Sequence, residues 1–207
     1  TANTSGQRGT AVGSAALAGN TTGDYNTAVG FTALQANTTA NNNTAVGYAA
    51  LTDNTTGDEN NAIGGGALGN NTTGVDNDAQ GYHALFDNTT GSNNVAMGNR
   101  ALATNTTADN NTGIGYYALK ANTTGANNTA VGAFSGDKNT TGVKNVSVGQ
   151  GSFTESTTGD NNTAVGSDSL ANNTTADNNT AMGYNALNAN TTGSENTAVG
   201  ANAADAV

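Results

Sequence analysis

The side chains able to do chemistry in this chain are few. His83 is the one histidine, and there is no cysteine to accompany it as nucleophile or ligand. A catalytic triad or a zinc site needs several convergent side chains, and no fixed serine or carboxylate partner is spaced around His83. The sequence therefore predicts a solvated surface histidine and no enzyme. Asp24, Asp58, Asp109, Asp160 and Asp177 share one register, separated by multiples of 17 residues. Asp109 and Asp177, each followed by two asparagines, come nearest to offering oxygens to calcium. Against that, Asn41, Val75, Ser92, Ala126, Val143 and Ser194 fill the register elsewhere, and the Gly-Gly-x-Gly-x-Asp pattern of calcium β-rolls is missing. An acidic solubilising edge is the simpler expectation, and no metal or cofactor is implied. The recurrent Asn-Thr-Thr triplets are also acceptor motifs for N-glycosylation, which requires an outward asparagine. Stacked amide ladders require an inward one, and the fixed spacing favours the ladder.

These registers belong to a repeat. Gly13, Gly30, Gly47, Gly64, Gly81, Gly98, Gly115, Gly132, Gly149, Gly166, Gly183 and Gly200 follow at 17-residue intervals with no insertion or deletion. The unit reads T-A-V-G-x-x-A-L-x-x-N-T-T-G-x-x-N. Twelve such units fill residues 1–207 as one repeat domain without a linker, in phase from Asn3 to Val207. The repeat explains a hydrophobic content of 34%, too low for an ordinary core. A net charge of −10 argues against a nucleic-acid partner or anionic lipid. No apolar run is long enough to span a membrane. Neither end carries a capping element, which predicts a fragment or ends that stack head to tail.

Strict spacing means that each copy stacks in register on the next. Helical repeats need about 33–47 residues, and Gly, Thr, Asn and Val are poor helix formers. Hairpin meanders favour Asn-Gly or Asp-Gly turns, and neither pair occurs here. The sequence thus predicts an all-β fold, a single-stranded parallel β-solenoid of twelve 17-residue coils.

Side chains two apart on a strand share a face. The large apolar row (Val29, Val46, Ile114, Val165 and equivalents) is expected inside, as is the Thr row two residues earlier, with the Leu row (Leu34, Leu51, Leu119, Leu187) as second wall. Two asparagine rows are expected to form ladders, one through Asn37, Asn54 and Asn122, the other through Asn43, Asn111 and Asn179. The small residues Ala28, Gly30, Ala45, Gly47, Ala130 and Gly132 then fall outside as a candidate subunit face. One coil is irregular. Gly136 replaces Leu and Ser156 replaces a ladder Asn, and Phe134 is expected to swing in and fill the space.

Asn94-Val95-Ala96-Met97-Gly98 and Asn145-Val146-Ser147-Val148-Gly149 resemble the YadA-like head repeats of trimeric autotransporter adhesins, and related arrays occur in bacterial surface and phage tail-fibre-like proteins. The resemblance extends over all twelve coils, with extra residues around Leu-x-x-Asn-Thr-Thr. It implies a left-handed β-roll, association of the chain with itself as a homotrimer, and an adhesive or spacing role outside the cell against host-surface or matrix ligands. A filament built head to tail is the other self-association expected. Ice binding by outward Thr ladders is the alternative function.

Overall fold

In each period the triplet Thr-Ala-Val, bounded by Asn before and Gly after, is the segment with strand character. The computed structural model describes residues 3–205, so Val207 lies outside the described residues. Twelve three-residue strands recur every 17 positions: β1 (Thr10–Val12), β2 (Thr27–Val29), β3 (Thr44–Val46), β4 (Asn61–Ile63), β5 (Asp78–Gln80), β6 (Val95–Met97), β7 (Thr112–Ile114), β8 (Thr129–Val131), β9 (Val146–Val148), β10 (Thr163–Val165), β11 (Thr180–Met182) and β12 (Thr197–Val199). They form one parallel sheet in sequence order. The register pairs each residue with its equivalent one coil on, as in Thr27 with Thr44, Ala28 with Ala45 and Val29 with Val46. The fold is a β-solenoid. At a strand spacing near 4.8 Å, β1 to β12 spans about 53 Å.

Tight turns close each coil. The Ala33 N–H donates to the Gly30 carbonyl and the Asn37 N–H to the Leu34 carbonyl, both at 3.4 Å. Thr32, Leu34 and Asn42 hold φ of 54°, 52° and 58°, and their equivalents repeat this in the other coils. The left-handed region costs roughly 1–2 kcal/mol per residue for side chains with a Cβ. What offsets it is a backbone ladder that continues outside the strands. The Leu34 N–H donates to Ala50 in the next coil at 2.9 Å, and the Thr32 N–H donates back to Ser14 at 3.0 Å.

The strand faces are the reverse of the expectation. Ala28, Ala45 and Ala130 are fully buried, whereas Val29, Val46 and Val165 are half-exposed and Ile114 is exposed. The Thr row also faces out and is half-exposed along most of the rod. The reason is room. At Gly113, which stands in the Ala row, an added Cβ would lie 3.1 Å from Leu102 Cγ, so the interior at this level holds one methyl and the leucine arriving from the opposite wall. A valine pointing inward would overlap that leucine. The candidate subunit face through Ala28, Ala45 and Ala130 is therefore the core. Gly30, Gly47 and Gly132 adopt φ of 143°, 140° and 135° and stay half-exposed, with an added Cβ directed onto the backbone of the next coil, so they do not share a face with the buried alanines.

Most coils thus have an apolar half made of two Ala and one Leu, with Leu34 and Leu51 fully buried and Leu119 and Leu187 nearly so. The other half is amide. The apolar column divides at coils eight and nine, counting each coil from its strand. One cluster runs from Ala16 to Ala130 and a second from Phe153 to Ala198. Between them lie Gly136 and three buried serines, with Ser135 Oγ 2.6 Å from Ser147 Oγ and Ser147 Oγ 2.7 Å from Ser152 Oγ. Phe134 does not swing in: it is exposed and packs edge-on against Tyr116 and Tyr117. Residue 134 stands two positions before the Leu register, in the row of Arg100 and Tyr117, and the inward position of its coil is held by Gly136.

Candidate functional surface

Two asparagine ladders occupy the polar half of the coil, and they meet at one carbonyl. Asn54 Nδ2 donates to Asn37 Oδ1 in the preceding coil at 3.3 Å and to the Gly57 carbonyl in its own coil at 2.9 Å. Asn43 Nδ2, one coil earlier, donates to the same Gly57 carbonyl at 2.9 Å, while Asn43 Oδ1 accepts from the Asn60 N–H at 2.9 Å. Equivalent bonds hold Asn111 and Asn122, and Asn179 Oδ1 accepts from the Asn196 N–H. A third row adds hydroxyls, as where Thr38 Oγ1 donates to the Thr55 carbonyl at 3.0 Å. A buried amide with both its donor and acceptor used stabilises, whereas one left unpaired costs about 1–3 kcal/mol. In the Asn37 row, every sequon asparagine from Asn20 to Asn173 is buried. A glycan on Nδ2 would break the ladder and has no space.

The natural break in the first ladder locates a correctable defect. Ser156 is buried at a ladder position, and Asn139 Oδ1, which would accept from it, has no partner. Asn173 Nδ2, on the other side, bonds only its own-coil carbonyl, Ala176, at 3.1 Å. Ser156→Asn restores donors and acceptors to both neighbours. The expected result is a gain of about 1–3 kcal/mol in denaturant unfolding. A loss would show that the serine seam, and not the missing amide, sets the local packing.

The acidic register caps backbone. Asp109 Oδ1 accepts from the Ser92 N–H at 2.7 Å and Asp177 Oδ1 from the Asp160 N–H at 2.8 Å, each reaching one coil back. Asn41 and Ser92 do the same with neutral oxygens, accepting from the Asp24 and Val75 N–H groups. This is why the register exchanges Asp, Asn and Ser. Among the described residues no three His, Cys, Asp or Glu side chains gather as metal ligands. Glu59 is raised above the usual carboxylate range, chiefly by its hydrogen bond and repulsion with Asp76, as expected where like charges line an edge. Asp137, in the irregular coil, is raised mainly by burial, and its Oδ1 has no partner.

His83 is half-buried in a stack, 4.0 Å from the Tyr82 ring and 4.3 Å from the Phe86 ring. Burial first, and then the Arg100 charge, lower its pKa. It therefore acts as a third ring.

What remains is the outer face of the sheet. Strand residues one and three point outward, so the Thr27 and Val29 rows lie side by side along all twelve coils. Two residues beyond the Val row come Phe31, Tyr48, Tyr82, Tyr116 and Tyr184, all exposed. Phe31 stacks on Tyr48 with centroids 5.7 Å apart. A separate outward row, Thr22 through Thr192, is threonine in each of the eleven coils it crosses. The sequence signal for the outward Val row was its polar exceptions, since Asp78, Gln80 and Asn61 share that side of the strand. Among the described residues no helix is long and apolar enough to cross a membrane. Comparison with protein-family models, curated proteins and solved structures returns no match.

Proposed function

We propose that the chain is a structural rod, an extracellular adhesin-head or fibre segment whose activity is length, stiffness and presentation of its outer rows. The observation that carries this reading is the unbroken coil-to-coil backbone register from β1 to β12, supported inside by the amide and hydroxyl ladders. Such a stack has a defined length per repeat and contacts only between neighbours. Its chemistry-bearing side chains cap backbone or stack with one another. The likeness of the Asn-Val-Ala-Met-Gly unit to adhesin head repeats supports the extracellular setting.

A spacer must be modular. Deleting residues 61–77, one whole coil, is expected to preserve the fold and shorten the rod by about 4.8 Å. Distance measurements between labels near the two ends, with circular dichroism as the folding check, test this. Loss of folding on removal of one whole coil would overturn the modular reading.

A second reading has its own observation. The outward Thr and Val rows form a regular array of hydroxyls and methyls on an in-register sheet, the arrangement a surface that orders water would need. Ice binding through this face would appear as thermal hysteresis of the purified chain.

A further inference from the structure

Exposed large apolar side chains are not spread around this rod. Val12, Ile63, Ile114, Met182 and Val199 belong to the third strand position, and Val146 to the first. The exposed rings from Phe31 to Tyr184 run beside them, while Tyr25 and Phe134 are the exceptions elsewhere. The three rows comprise positions one, three and five of every coil, and Asp78 is their single charge in a chain with 20 charged residues. Even Asp78 is screened locally: its Oδ1 accepts from Asn61 Nδ2 and Gln80 Nε2, each at 3.2 Å. A long stripe of apolar side chains flanked by threonines and rings, with one charge along its length, is the signature of an interaction face.

We propose that this stripe pairs with the same stripe of a second copy of the chain, side by side and in opposite directions. The proposal rests on the rod reading. The stripe is about 53 Å long and on the order of 13 Å across, near 700 Å², close to the roughly 800 Å² per partner of a standard stable interface. A partner that matches it row by row must repeat at the same spacing, and a second copy does. The chain's net charge of −10, all but Asp78 of it off the stripe, makes other faces of two copies repel, so association concentrates where charge is scarce. A two-fold contact uses one patch on both partners. With the rods parallel, Asp78 would face its own equivalent. With them opposed and their ends aligned, β5 lies across from β8, so Asp78 meets Thr129, and the central strands β6 and β7 bring Met97 toward Ile114.

Light scattering after size exclusion, over a concentration series, tests this. The expected mass is twice 20.2 kDa. Ile114→Lys is expected to weaken association at least tenfold while leaving the melting temperature of the coil unchanged, because the side chain already faces out. Thr90→Lys, on the separate outward Thr row, is the control expected to leave the mass alone. A 20.2 kDa species at all concentrations would overturn the proposal, and thermal hysteresis from that monomer would give the stripe to ice instead. A doubled mass that Ile114→Lys does not reduce would place self-association on another face. Failure of pairing leaves the rod reading intact, since coil deletion reads that separately.

Discussion

Gly98→Ala is expected to destabilise the rod by more than 3 kcal/mol and to disorder the step between coils six and seven. Gly98 has φ of 136°, outside the range that residues with a Cβ adopt, and an added Cβ would stand 2.4 Å from the Gly115 carbonyl oxygen. Backbone strain of this kind costs about 1–3 kcal/mol before any clash is counted. The clash is not local to one turn, because the obstructing carbonyl belongs to the next coil. Relief requires the coils to separate, which stretches the bond from the Gly115 N–H to the Met97 carbonyl, now 2.8 Å. Gly57→Ala supplies the contrast. Its added Cβ would meet the Gly74 carbonyl at 2.2 Å, yet Ala40, Ala108 and Ala176 already occupy that row, and the backbone there is not left-handed. We expect Gly57→Ala to cost less than about 1 kcal/mol, in the range of ordinary tolerated substitutions. Equal losses for the two variants in denaturant unfolding would show that contact distance, and not backbone region, decides the outcome.

The same contrast shows what was legible in the sequence. A glycine invariant over twelve copies announces a backbone constraint, and the period without indels announces parallel stacking, since one inserted residue would turn the next strand inside out. The Leu row and both Asn rows were legible for a related reason: side chains that recur at one register bond or pack with their own kind. The facing of Thr-Ala-Val was not. Alternation fixes which residues share a side but not which side is inside, and size favoured Val29 over Ala28. The deciding quantity is the width of the coil, which depends on turn geometry absent from any local pattern. Thr32, Leu34 and Asn42 in left-handed conformations bend the chain tightly enough that Leu34 crosses the interior and leaves room for only a methyl. Asp78 and Gln80 outweigh size as indicators once that narrowness is known. The role of the Asp register was likewise hidden, because the group that Asp109 caps, the Ser92 N–H, lies 17 residues back.

Leu85→Ala should cost about 2–5 kcal/mol, the range for buried leucines whose cavity cannot collapse. Leu85 is fully buried, and collapse is resisted because Leu68 and Leu102 are held at the same register by their own coils. The substitution keeps the left-handed φ of 51° and its cost while removing the packing that offsets it. Where the loss is felt depends on the serine seam. In a linear stack, stability is a sum of coil and neighbour terms, so a weak neighbour term uncouples the blocks on its two sides. The seam around Ser135, Ser147 and Ser152 replaces apolar contact with hydroxyl bonds and already separates the two apolar clusters. Hydrogen exchange after Leu85→Ala is therefore expected to show faster opening in coils two to seven and unchanged protection in coils ten and eleven. Uniform loss along the rod would mean that the backbone and amide ladders couple the two blocks across the seam. A total cost below about 1 kcal/mol would remove the Leu row from its place as the principal apolar support of the coil.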